Sequence, residues 1–218
     1  HFFGSIVYIY DEEAIGQTFS VIDGQQRITT VSLLLLALYN LLEKDIITCN
    51  FDKEQIKDTY LVNKFDKKSN RIKLKSVEQD NKAFIKLFYN NEEDHIKDSN
   101  ITKNYNFFID RIKNLDVKID DFYEGIKKLT IVQIKLTKED APQLIFESLN
   151  STGLDLTQAD QVRNYILMNK SVDEQERLYY NYWNKIELNT NFKSDGFIRD
   201  YLTLKQGKIP RKDKIYVS

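Results

Sequence analysis

The residues of this chain best suited to chemistry are Asp23-Gly24-Gln25-Gln26-Arg27, which fall between a strand-like run and a long apolar helix pattern. A strand, a glycine turn and a helix in succession bring several backbone N–H groups and the positive end of the helix dipole to one spot. That arrangement suits a phosphate. Gly24 permits a positive φ and a close approach of ligand to main chain. Arg27 adds a forked cation, Gln25 and Gln26 add neutral donors and acceptors, and Thr29 and Thr30 add hydroxyls in the first helical turns. Asp23 is the candidate to hold Mg²⁺, directly or through water, or to orient an attacking water, and Gln26 is the next candidate for water positioning. The same residues also suit an ordinary Asp-Gly turn followed by a solvated first turn, and they lack the Lys-Ser/Thr ending of a P-loop. Spacing alone leaves both open.

A second polar group comprises Asn150, Gly153, Asp160, Arg163 and Asn164. Asp160 with Arg163 and Asp160 with Asn164 are spaced i,i+3 and i,i+4, so they share one helical face, while Ala159, Val162 and Ile166 take the adjoining apolar stripe. The functional expectation is that this face completes or positions the 23–27 loop; the plainer one is a routine helix ion pair worth a few tenths of a kcal/mol.

Composition narrows the chemistry further. With one cysteine (Cys49) and two histidines (His1 and His95) in 218 residues, a disulfide framework, a Cys-rich zinc site and Ser-His-Asp chemistry are all but excluded. The net charge of −1 supplies no overall basic field for nucleic acid. Local basic runs at Lys64–Lys75 and Lys205–Lys214 are read as solvated loops before DNA contacts. Trp183 with Tyr179, Tyr180 and Tyr182 is read as helix packing before base stacking. Cys49 is expected as a minor core residue, and His95, in a polar loop, carries no case for catalysis. The run Val31–Leu42 is too short to span a bilayer, and the lone cysteine fits a reducing, cytoplasmic compartment.

The elements that must position these residues follow from periodicity. Seven glycines and two prolines lie far below the roughly 12% of an average protein and favour long helices over an all-β fold. Phe2–Tyr10 and Thr18–Ile22 read as strands, and Gln26–Lys44 as a helix buried on most sides. Thr59–Lys64 reads as a weak strand, and Val77–Tyr89 as a helix with Ala83, Phe84, Leu87 and Phe88 on one face. Tyr105–Leu115 and Ile119–Lys128 are further helices. Leu129–Leu136 is a strand with Val132, Ile134 and Leu136 on one face. A helix opens at Asp140-Ala141-Pro142 and ends before Gly153. Thr157 with Asp160 resembles a capping box opening a helix to Asn169, and Glu174–Leu188 and Phe197–Lys205 complete a helical end.

Three segments carry a family resemblance. The run FFGSIVYIY…FSVIDGQQRITTVSLLLLAL, the run IFESLNSTGLDLTQADQVRNY from Ile145 to Tyr165, and more weakly FIRDYLTLKQGKIPRKDKIY, resemble the DUF262 family of GmrSD-type restriction endonuclease N-terminal domains. The resemblance implies an α+β fold: a small mixed sheet of ParB/sulfiredoxin-like type with a mainly helical C-terminal extension. It divides the chain into an N-terminally truncated ParB-like core with the DGQQR loop (1–45), a helical insertion and return strand (46–136) and a helical part with the second motif (137–218).

In such relatives the DGQQR motif is associated with NTP binding and hydrolysis coupled to DNA cleavage in modification-dependent, type IV-like restriction and phage defence. The implied role is therefore a nucleotide-binding, NTP-hydrolysing regulatory module, with NTP and Mg²⁺ as ligands. Asp23, Gln26 and Arg27 would be catalytic, and Gly24, Gln25, Arg27, Thr29 and Thr30 would bind phosphate. Implied partners are DNA in the full-length protein and a His-Asn-His (DUF1524-type) nuclease domain, expected after Ser218 or in a partner. The family's opening Gln-Arg-hydrophobic-x-Trp stretch is expected before His1. The rival expectations are a DNA-sensing module without NTP hydrolysis and a ParB-like nuclease that uses Asp23 with a metal.

Overall fold

A computed structural model describes residues 1–11, 18–64, 72–76, 78–137, 157–167, 170, 172–191, 193–211 and 215. The fold is α+β, with a three-stranded mixed sheet and a helical majority, as the low Gly and Pro content predicts. The chain divides into two compact units, His1–Lys135 and Leu136–Ser218.

In the first unit the β-branched and aromatic run Phe2–Asp11 forms β1, Thr18–Asp23 forms β2 and Thr130–Leu136 forms β3, in the order β2-β1-β3. Strands β1 and β2 are antiparallel, with Asp11 opposite Thr18 and Tyr8 opposite Val21; the next pair is Val7 with Asp23, so Ile22 is an extra, bulged residue. A bulge bends its strand and re-aims the side chains beyond it, and here it lies one residue before the candidate loop. Of the apolar row expected on β3, Leu136 is buried and Ile134 half-buried, but Val132 is exposed. At the sheet's edge, alternation in sequence does not translate into burial.

Helix α1 (Gln25–Glu43) contains neither glycine nor proline, and nine of its residues, Leu33 and Leu35–Leu42, are buried. It shares one apolar core with α2 (Glu54–Ile56), which continues as a π-helical turn Lys57–Leu61, α3 (Glu78–Phe88), α4 (Asn100–Lys113) and α5 (Ile119–Lys127), the α2–π segment and α4 packing directly against it. Ile56, Leu61, Phe84 and Leu87 are all but fully buried around α1. Burial of eight consecutive residues, Leu35–Leu42, explains why its sequence is almost continuously apolar rather than striped.

Two expected boundaries change. Thr59–Lys64 is not a strand: residues 57–61 are helical, and only Val62 forms an isolated bridge, to Ile72. The π turn, closed by Val62 N–H donating to the Lys57 carbonyl at 2.9 Å, serves the burial of both Ile56 and Leu61, five residues apart. Helix α4 begins at Asn100 rather than Tyr105, because the Ser99 hydroxyl accepts from the Ile101 N–H at 3.2 Å and caps it. Cys49 is half-buried against this core, as expected of a minor core residue.

The second unit contains α6 (Gln158–Leu167), α7 (Val172–Leu178) continuing as a π turn Tyr179–Trp183, α8 (Asn184–Asn189) and α9 (Ser194–Gln206). Its core gathers Ala159, Trp183, Ile198 and Ile215, with Val162, Tyr179 and Leu202 beside them. The capping box of α6 forms: Thr157 Oγ1 accepts from the Asp160 N–H at 3.1 Å, and the Asp160 carboxylate accepts from the Thr157 N–H at 3.3 Å. Ile166, expected in the apolar stripe, is 41% exposed. Trp183 and Tyr179 pack as expected, whereas Tyr182 is exposed. The helix expected from Asp140 and its end at Gly153 lie outside the described residues, as does most of the Lys64–Lys75 run.

Phe84 is 1% exposed and lies in the same apolar core as the leucines of α1. Phe84→Ala should cost about 3–5 kcal/mol of stability, read as a lowered urea midpoint by far-UV circular dichroism.

Candidate functional site

The 23–27 loop is built by three segments. Gly24 is the N-cap of α1 in the left-handed region (φ 92°, ψ 8°), so no side chain caps the helix, and its carbonyl accepts from the Ile28 N–H at 3.0 Å. Helix geometry leaves the N–H groups of Gln25, Gln26 and Arg27 without an intrahelical acceptor, and no acidic residue occupies the first turn. Any side chain at position 24 would also crowd β1, since a Cβ there would lie 3.0 Å from both the Ser5 carbonyl oxygen and Ile6 Cγ1. Glycine is required twice over, by backbone angle and by space.

Arg27 reaches back from the first turn of α1 to the same stretch of β1. Its Nη1 donates to the Ser5 carbonyl at 2.8 Å and to Asp23 Oδ2 at 3.4 Å. Among the described residues neither Nε nor Nη2 has a hydrogen-bond partner. The guanidinium lies over Gly4, whose φ is +118° and whose added Cβ would sit 2.8 Å from Arg27 Nε. Gly4 therefore makes the space that Arg27 fills. The Arg27 side chain is 40% exposed and that of Asp23 22%, so the pair is anchored from behind and open to a ligand. Gln25 Nε2 donates to the Val21 carbonyl at 2.8 Å, tying the loop to β2. Gln26 and Thr30 are exposed and Thr29 half-buried.

The loop residues singled out from the sequence are thus brought together, and Asp23 holds one edge of Arg27. Among the described residues no group of three or more His, Cys, Asp or Glu side chains could hold a metal ion. Residue types and spacing assign no role to Gly4 and Ser5. The signal that could have found them is a glycine inside a strand pattern, which marks a bulge or a close approach of another group.

In the second unit Arg163 Nη2 pairs with Asp160 at 3.0 Å and its Nη1 with Glu187 at 3.3 Å. Glu187 is 9% exposed and also accepts from Trp183 Nε1 at 2.8 Å and the Tyr179 hydroxyl at 3.1 Å. Burial, and then the Glu187 charge, push the Tyr179 phenol up to about 12, so it stays protonated and donates. Arg163 here neutralises a buried carboxylate. Glu187 is the residue that sequence spacing missed, because it lies 24 positions from Arg163. Asn164 is buried, and among the described residues its Nδ2 lacks a partner. Asn150 and Gly153 lie outside the described residues.

A family model described as "GmrSD restriction endonuclease, N-terminal domain" matches residues 1–167. No curated protein and no solved structure matches the chain.

The Gly4–Arg27 contact gives a double-mutant test. Gly4→Ala should lower stability by about 1–3 kcal/mol, from strained φ and the Nε overlap together. In an Arg27→Ala background the overlap disappears and only the backbone part remains, so the cost of Gly4→Ala should fall measurably in denaturant titrations.

Proposed function

The chain belongs to the GmrSD restriction endonuclease N-terminal domain family, a restriction endonuclease module, and from that premise we propose that it binds and hydrolyses a nucleoside triphosphate at the 23–27 loop. In this role it regulates DNA cleavage by a His-Asn-His-type nuclease domain in modification-dependent phage defence. The observation that carries the proposal is the anchored Arg27 guanidinium, with two donor nitrogens unused among the described residues, beside a helix start that has neither a side-chain cap nor an acid. Three unsatisfied amides and a forked cation are complementary to phosphate oxygens and leave little else for that spot to bind.

The residues present fit a nucleotide with Mg²⁺. Mg²⁺ is commonly held by one or two carboxylates together with substrate phosphates, and Asp23 is the carboxylate at hand. When bound, the ion would supply charge neutralisation on the phosphates. The chain's own contribution begins with an exchange. A phosphate arriving at Arg27 competes with Asp23 for the guanidinium, and the 3.4 Å contact is the weaker of the two Nη1 bonds. The Ser5 carbonyl keeps Arg27 in place when Asp23 releases it, which frees the Asp23 carboxylate to orient water, or to hold the ion were it bound. Gln26 is exposed one residue before Arg27, which supports its proposed part in orienting the attacking water. Catalysis here is positioning and electrostatics, which phosphoryl transfer chiefly requires.

The test is calorimetric titration of the four NTPs with Mg²⁺, combined with single-turnover phosphate release. Arg27→Ala should weaken binding by about tenfold to a hundredfold, the loss of a charge-assisted hydrogen bond. Asp23→Ala should leave binding within a few-fold and slow hydrolysis by roughly a hundredfold or more. Unchanged binding and turnover in both variants rejects the site. Salt-dependent DNA binding lost in Arg27→Ala, with no heat from any NTP, would assign the loop to a DNA phosphate instead.

A further inference from the structure

Away from the loop, a cavity of about 480 Å³ opens between the C-terminal half of α1, the segment Asn90–Lys97 and α4. Three residues of its wall carry a buried polar atom with no partner among the described residues: Asn40 Oδ1, Thr102 Oγ1 and His95 Nε2. Asn40 and Thr102 are each 1% exposed. Buried side-chain polar atoms nearly always find partners, so three orphans around one cavity are a departure that calls for a cause. Asn40 is not loosely placed. Its Nδ2 donates to the Leu87 carbonyl at 3.1 Å and to the Tyr105 hydroxyl at 2.9 Å, which holds the amide in one orientation and leaves Oδ1 over. His95 packs edge-on against Tyr105. Burial holds its imidazole below the usual histidine value, so at neutral pH it is uncharged and Nε2 donates or accepts according to tautomer.

Charge at the cavity has a sign. Lys44, Lys97 and Lys113 line it against a single carboxylate, Glu92, which pairs with Lys44 at 2.7 Å. Among the described residues Lys97 and Lys113 make no ion pair within 4 Å, and Lys113 shares the field of Glu92 with Lys44, so three lysines stand against one carboxylate and the wall is net positive. Leu41 and Ile109 add apolar wall. Bridging waters answer for orphaned polar atoms, but not for a net positive wall at the same cavity.

We infer that this cavity is a binding site for a small organic phosphomonoester, a mononucleotide or a sugar phosphate. Its dianionic phosphate lies against Lys97 and Lys113, and its hydrogen-bonding groups meet Asn40, Thr102 and His95. An excess of two positive charges, three lysines against Glu92, matches the charge of a phosphomonoester, and the volume is that of a small-molecule pocket rather than of a single ion. The site is distinct from the loop at Arg27 and does not depend on it.

The experiment is calorimetric titration of the full chain carrying Arg27→Ala, which removes the loop's contribution, with AMP, ribose 5-phosphate, inorganic phosphate and adenosine. Saturable one-site binding is expected for AMP or ribose 5-phosphate, the tighter of the two identifying the source of the phosphomonoester. Inorganic phosphate and adenosine should each bind at least tenfold more weakly. Lys97→Ala with Lys113→Ala should weaken the organic phosphate at least tenfold while leaving the melting temperature nearly unchanged, since both lysines are exposed and neither makes a close ion pair among the described residues. Thr102→Val, which keeps the volume and removes the orphan hydroxyl, should weaken the ligand yet hold or raise the melting temperature of the unliganded chain. Absence of saturable binding by both organic phosphates overturns the proposal. So does binding indifferent to the lysine and Thr102 substitutions, or inorganic phosphate binding as tightly as AMP.

Discussion

Burial of α1 is the constraint on which the first unit depends. Its Leu-rich segment is buried in a core shared with α2, α3, α4 and α5, and each fully buried leucine contributes about 1.5–3 kcal/mol relative to an exposed one. A helix enclosed in this way cannot slide or rotate without opening its own core. Its N-terminus is therefore fixed relative to the elements around it, and Gly24, at the junction with β2, fixes it relative to the sheet. The loop at 23–27 inherits its rigidity from leucines two to four turns away.

Around that fixed end the backbone does most of the shaping. The bulge at Ile22, the left-handed Gly24 and the positive φ of Gly4 together let β1, β2 and α1 approach more closely than side chains would permit. Into the resulting space Arg27 places its guanidinium, held by a carbonyl rather than by a full charge. A neutral acceptor fixes the side chain without cancelling its charge, so the cation stays available to an anion. Asp23 provides only a longer, partly exposed contact, of the strength that a phosphate can displace.

Arg163, in the second unit, shows the opposite use of the same residue type. Its guanidinium is shared between Asp160 and the buried Glu187, which in turn collects the Trp183 and Tyr179 donors. There the charge is absorbed in a satisfied network that orients helices. Two arginines of similar prominence in the sequence thus differ in what holds them, a carbonyl in one case and two carboxylates in the other.

Much was legible from residue order alone. The two N-terminal strands, the enclosed helix that follows, the capping box at Thr157 and the α+β class all rest on local propensity, caps and periodicity, which act between residues a few positions apart. The loop was legible too, as a glycine turn before a helix with an arginine in its first turn. What only the tertiary structure decided were relations across long stretches of chain. These are Gly4 clearing space for Arg27 from 23 positions away, Ser5 anchoring it, Glu187 claiming Arg163, the helical rather than extended path of residues 57–61, and three polar atoms left unpaired around one cavity. Sequence carries the periodicities of single elements, but not the distances between side chains that meet only when those elements pack, and both the anchoring of a cation and the satisfaction of a buried polar atom are set by those distances.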